Sequence, residues 1–128
     1  MKKIASMLLF LFLIGSTLQG AGFEKHGQVG DLHIDITSKK SLVKGLNDLT
    51  IQITKDGKYL NDAKVIFKVF MPQMPGMPYM EDKKKAKFIK DGKYIVKVNF
   101  SMRGTWQIRV YITTKDGEKY LYKSSVNI

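Results

Sequence analysis

The chain has 128 residues, 44% of them hydrophobic and 26% charged, with no cysteine, seven methionines and a formal net charge of +11. That balance excludes a disordered, collagen-like or disulfide-stapled chain and fits one globular domain. At this length a single core buries roughly two thirds of the surface exposed by the unfolded chain, so stability needs no metal and any metal site would be functional.

At the start of the chain, Lys2 and Lys3 precede a nearly unbroken apolar run from Ile4 to Leu13, and Gly20, Ala21 and Gly22 supply the small residues of a cleavage site. These features predict a secretory signal over 1–21 and a single mature domain over 22–128, periplasmic or secreted. The run is too short to span a bilayer, so no stable membrane insertion is expected. Without Lys2 and Lys3 the formal charge falls from +11 to +9, which still raises nucleic acid or an anionic membrane surface as a partner. Only Arg103 and Arg109 of the 22 basic residues are arginine, whose fork suits phosphate and guanine, and an exported protein meets no genome. Neither partner is favoured by the sequence, no nucleic-acid partner is expected, and the run Lys83, Lys84, Lys85 and Lys87 after Glu81 and Asp82 reads as a solvated turn.

Beyond the signal, apolar and polar residues alternate with period two. Leu32, Ile34 and Ile36 form the first such run and Leu49, Ile51 and Ile53 the second. Val65, Phe67 and Val69 follow, then Tyr94, Val96, Val98 and Phe100, then Trp106, Ile108, Val110 and Ile112. Such runs predict antiparallel strands with one wet face. Asp56-Gly57, Asp91-Gly92 and Asp116-Gly117 lie between strand-like runs and supply the positive φ angles of tight hairpins. About seven strands with turn signals at short intervals predict an all-β, immunoglobulin-like antiparallel β-sandwich; an open barrel is the structural alternative.

One segment departs from this grammar: Met71-Pro72-Gln73-Met74-Pro75-Gly76-Met77-Pro78-Tyr79-Met80. It holds all three prolines of the chain and four of the five methionines outside the signal, each three residues from the next. Proline forbids a helix here and pushes the residue before it toward extended backbone, which predicts a loop outside the sandwich. In a polyproline-like ribbon a spacing of three sets all four thioethers along one edge, roughly 9 Å apart, and Gly76 adds a bend that brings Met74 and Met77 closer. Thioether sulfur is soft and neutral, a poor ligand for zinc, magnesium or calcium and a good one for monovalent copper, with Ag(I) as a mimic. It carries no proton to lose, so binding should persist in acid, and it is not consumed by disulfide formation in an oxidising compartment. The competing reading is a greasy loop whose methionines pack as adaptable fillers or dock onto a protein partner.

Further candidates lie nearby. Met102, in the predicted hairpin turn Ser101-Met102-Arg103-Gly104, completes the set if that turn faces the tract. Trp106 offers a ring face to a cation, although a core role suits it better. His26 and His33 offer imidazoles to divalent copper, with His26 in a mobile N-terminal segment and His33 on a polar strand face. No enzyme is expected: there is no His-Glu-x-x-His spacing, no Gly-x-Ser-x-Gly elbow and no Gly-rich phosphate loop.

The string Phe70-Met71-Pro72-Gln73-Met74-Pro75-Gly76-Met77 is followed by Gly92-Lys93-Tyr94, then Val98-Asn99-Phe100-Ser101-Met102 and Gly104-Thr105-Trp106. In these residues the chain resembles the YtkA-like or FixH-like family of small exported β-sandwich proteins. The resemblance implies an exported copper-resistance factor working alongside a copper efflux system in the cell envelope. It implies Met71, Met74, Met77 and Met80 as copper ligands, with Met102 as a further one. FixH relatives belong to copper oxidase assembly and carry a membrane anchor. Two alternatives to copper sequestration or transfer therefore stand: a chaperone for oxidase assembly, and a scaffolding sandwich that docks through its Met-Pro loop.

Overall fold

The computed structural model describes residues 22–128, so the predicted signal over 1–21 lies outside the described residues. Over those residues the apolar alternation is realised as ten strands. In chain order they are β1 (Phe23–Val29), β2 (Leu32–Ser38), β3 (Gly45–Lys55), β4 (Lys58–Tyr59) and β5 (Lys64–Met71). They continue with β6 (Met80–Lys85), β7 (Lys87–Lys90), β8 (Lys93–Phe100), β9 (Thr105–Thr113) and β10 (Lys119–Asn127). One antiparallel sheet has the order β10-β9-β5-β6; the other has the order β1-β2-β3-β8-β7, with β4 paired to β3. The two layers form the expected sandwich.

The core lies between the layers because each strong strand turns its odd or even set inward. Leu32, Ile34 and Ile36, Leu49, Ile51 and Ile53, and Tyr94 to Phe100 at alternate positions face Val65, Phe67, Val69 and Met71, and Trp106 to Ile112 at alternate positions. At about 25 cal/mol per Å² of apolar surface, such burial is the main stabilising term. Buried polar groups are satisfied. Asn47 bonds the backbone of Val43 and Gly45, and the Tyr94 hydroxyl donates to the Leu60 carbonyl at 2.7 Å and accepts from the Ala63 amide at 3.1 Å.

Three expectations are corrected. The lysine run is not a turn: Lys83, Lys84 and Lys85 belong to β6 and Lys87 to β7. Between them buried Ala86 donates its amide to the Val65 carbonyl at 2.8 Å, and the chain passes there from one sheet to the other. Lysine suits an edge strand because it opposes pairing with a second chain. The N-terminal segment is not loose either, since β1 pairs with β2 along its length, His26 opposite Asp35. Finally, Ser101-Met102-Arg103-Gly104 is no hairpin; it carries the chain from β8 in one sheet to β9 in the other. The turns are closer to expectation. Asp56 and Asp91 adopt φ of 52° and 49° before their glycines, as paired positive angles in two-residue hairpins require, whereas at Asp116-Gly117 only the glycine is positive.

Candidate metal centre

The methionine tract is a hairpin rather than a ribbon with one sulfur edge. Met74 and Met77 exchange both backbone hydrogen bonds, Met74 N–H to Met77 O at 3.0 Å and Met77 N–H to Met74 O at 2.8 Å. Pro75 and Gly76 (φ 80°) occupy the two central positions, the arrangement of a type II turn with proline first and glycine second. Met71 is paired with Met80 in the same registration. The tract is symmetric about the Pro75-Gly76 bond, so the spacing of three becomes two rungs, Met74 with Met77 and Met71 with Met80. Pro72 and Pro78 lack the amide a ladder needs and lie in the interruption between the rungs.

Strand alternation then decides where Met71 points. Met71 continues the inward series Val65, Phe67 and Val69 and is 2% exposed, so it belongs to the core and not to a loop outside the sandwich. Its methyl group lies 2.7 Å from the point where a Cβ on Gly104 would stand, and Gly104 itself has φ 142°. Met80 is half-buried, and its Sδ accepts from the Ser101 hydroxyl at 3.3 Å. Met77 and Met102 are also half-buried against the core, whereas Met74 is 45% exposed. Trp106 is a core residue: it is 1% exposed, stands edge-on to Phe100 with ring centroids 5.5 Å apart, and donates its indole N–H to the Met102 carbonyl at 2.9 Å. Residues 101–104 thus meet the root of the hairpin at one end of the sandwich and bring Met71, Met80 and Met102 there. Ser101 and Gly104 are parts of this end that sequence reasoning missed, although they flank Met102 in the chain.

The histidines are elsewhere. His33 is exposed on the outer face of the larger sheet and pairs with Thr54, near the end of β3 remote from the Gly45–Phe100 pair that adjoins the crossover. His26 is exposed between two carboxylates, with Nδ1 2.6 Å from Asp35 and Nε2 3.2 Å from Glu24. Hydrogen bonding to Asp35 first and Glu24 second holds its pKa above the ordinary histidine value. Both ring nitrogens are therefore occupied by carboxylates. Among the described residues no group of three or more His, Asp or Glu side chains is arranged to hold a metal ion.

Chemically this end presents soft, neutral donors in opposed pairs. On the outer side of the hairpin root, Tyr79 donates to Glu81 at 2.7 Å and lies 6.0 Å from the Phe70 ring; the tyrosine hydroxyl holds the Glu81 carboxyl below its ordinary range.

No curated protein matches the chain. Residues 26–111, which span the core strands, the methionine hairpin and the crossover, match the model of the YtkA-like family. The chain belongs to the YtkA-like family.

Proposed function

We propose that this protein is an exported Cu(I)-binding protein that sequesters the ion or hands it to a copper efflux system in the cell envelope, using the methionine hairpin and Met102. It binds and carries; it does not catalyse. The observation that carries the reading is the registration of the hairpin, which sets Met74 opposite Met77 and Met71 opposite Met80. The Met74–Met77 rung is a ready pair of soft ligands, because residues exchanging both ladder bonds have Cα atoms only about 5.5 Å apart. From Phe70 to Trp106 the sequence also resembles the copper resistance determinant protein CrdA of Helicobacter, and that likeness supports a role in copper resistance. Met74 and Met77 form the rung nearer the turn, with Met74 exposed, while Met80, paired with Met71, and Met102 are half-buried against the core.

The test is a Cu(I) titration under reducing conditions against a chromophoric competitor, repeated with Ag(I). Met74→Ser/Met77→Ser removes exposed or half-exposed side chains and should leave the fold intact while weakening binding at least tenfold, about 1.4 kcal/mol. Adding Met80→Ser and Met102→Ser should abolish high-affinity binding. Affinity should be nearly unchanged down to about pH 5, since thioethers carry no competing proton. Equal competition by the native protein and the fourfold variant would sink the proposal and favour a docking role for the hairpin.

A further inference from the structure

The sheet register brings together charges that lie far apart in the sequence. On the outer face of the four-stranded sheet Lys123 opposes Arg109, Arg109 opposes Lys68, and Lys68 opposes Lys83, so a single rung carries a cation on every strand. Strands lie about 4.8 Å apart, and like charges directly opposite one another destabilise a sheet. Neighbouring rungs add Lys85 opposite Ile66, and Lys64 and Lys119 on either side of Thr113. Among the described residues, Glu81 is the one carboxylate at an outward position of these four strands, and Lys68 approaches it at 3.5 Å. Lys68 and Arg109 both lie over the Phe70 ring, 5.2 and 5.1 Å from its centroid, which fixes the middle of the row. The outer face of the other sheet differs: there Glu24, Asp35 and Asp48 offset most of the charge of Lys87, Lys90, Lys93 and Lys97. The excess positive charge is therefore gathered on one broad face.

We propose that this face docks onto an anionic bilayer surface, its ammonium groups meeting lipid phosphates. A row of repelling cations in which only Lys68 has a carboxylate partner among the described residues is complementary to a sheet of negative headgroups, and each lysine brought to such a surface adds to the attraction. The composition favours lipid over a protein partner. Lysine is depleted and arginine enriched in protein interfaces, and this face is lysine with one arginine. Beside the cations, Tyr111 is paired with Leu121, itself 38% exposed, and Ile66, and such amphipathic and apolar groups suit the boundary between headgroups and acyl chains. The proposal depends on charge and register and is independent of the methionine site.

Co-sedimentation with vesicles tests it, using phosphatidylcholine alone and phosphatidylcholine with about one third phosphatidylglycerol. The protein should bind the anionic vesicles only, and binding should weaken as salt rises from about 50 to about 200 mM. Lys68→Gln/Lys83→Gln/Arg109→Gln/Lys123→Gln should bind roughly a hundredfold or more weakly. Lys87→Gln/Lys90→Gln/Lys93→Gln/Lys97→Gln, which removes the same charge from the other sheet, should bind nearly as the native protein does. Equal loss in both variants, or equal binding to neutral vesicles, overturns the proposal. So does capture of polyglutamate without binding to vesicles, which would assign the face to an acidic protein. Amide NMR shifts of the native protein on vesicle addition do not depend on any variant folding: shifts in β5, β6, β9 and β10 support the proposal, and shifts confined to β1, β2 and β3 refute it.

Discussion

Met71 joins two roles, because the side chain that completes the inward row of β5 also belongs to the lower methionine rung. Truncation to alanine leaves a cavity and should cost about 2–5 kcal/mol. A drop in metal affinity in that variant therefore says little about coordination. Met71→Leu keeps the volume, and volume-conserving swaps cost less than about 1.5 kcal/mol; if Met71 is a ligand, its copper affinity falls while its unfolding curve barely moves. Gly104 is the residue that makes room for Met71. An alanine there meets the Met71 methyl group and adopts an unfavourable φ, so Gly104→Ala should lower stability by roughly 1–3 kcal/mol. Urea unfolding followed by the single tryptophan checks this. His26 gives a pH prediction. Its folded pKa lies above the ordinary 6.5, so its contribution to stability is complete below that value and is lost as pH rises through the folded pKa. In an NMR titration His26 should titrate above 6.5, and Asp35→Asn should move the midpoint down.

The methionine hairpin is the element on which sequence and structure differ most. A spacing of three is compatible with a polyproline-like edge and equally with a strand pair folded about its midpoint. The deciding signal is present in the sequence as Met-Pro-Gly-Met, the composition of a type II turn with a methionine at either end. Within that signal Pro75 is a turn former, whereas Pro72 and Pro78 interrupt the ladder. Gly76→Ala tests this element. Nothing lies within 4 Å of the added carbon, so the cost is the left-handed backbone alone, about 1–2 kcal/mol. Lowered Cu(I) affinity with unchanged core packing, seen as native-like Trp106 emission, is the expected result. Inserting one residue between Pro75 and Gly76 should be more damaging to binding, because it shifts the partners of both rungs.

At the scale of the whole molecule, the side of the sandwich beside the hairpin is closed by a side chain. β8 is paired with β7 only near its start, and further along the Asn99 amide donates instead to Asp82 Oδ2 on β6 of the other sheet, at 2.7 Å. Lys84 holds the same carboxylate at 2.9 Å. Asp82→Ala leaves that exposed amide to water and should destabilise by about 0.5–1.5 kcal/mol. Hydrogen exchange should show the loss as faster exchange at Asn99 before any change in the β2–β3 ladder.

By itself the sequence determined the all-β class, the strong strands and their inward residues, because period-two alternation is a local property that burial of one face enforces. It also identified the methionines as the chemically distinctive group. Only the tertiary structure decided which methionines are paired, that Met71 is a core residue, and that Ser101 and Gly104 lie beside Met80 and Met71. It alone joined lysines from β5, β6 and β10 to Arg109 in one row. Those facts depend on register and on which strands become neighbours, and both follow from long-range pairing between segments whose local patterns are interchangeable.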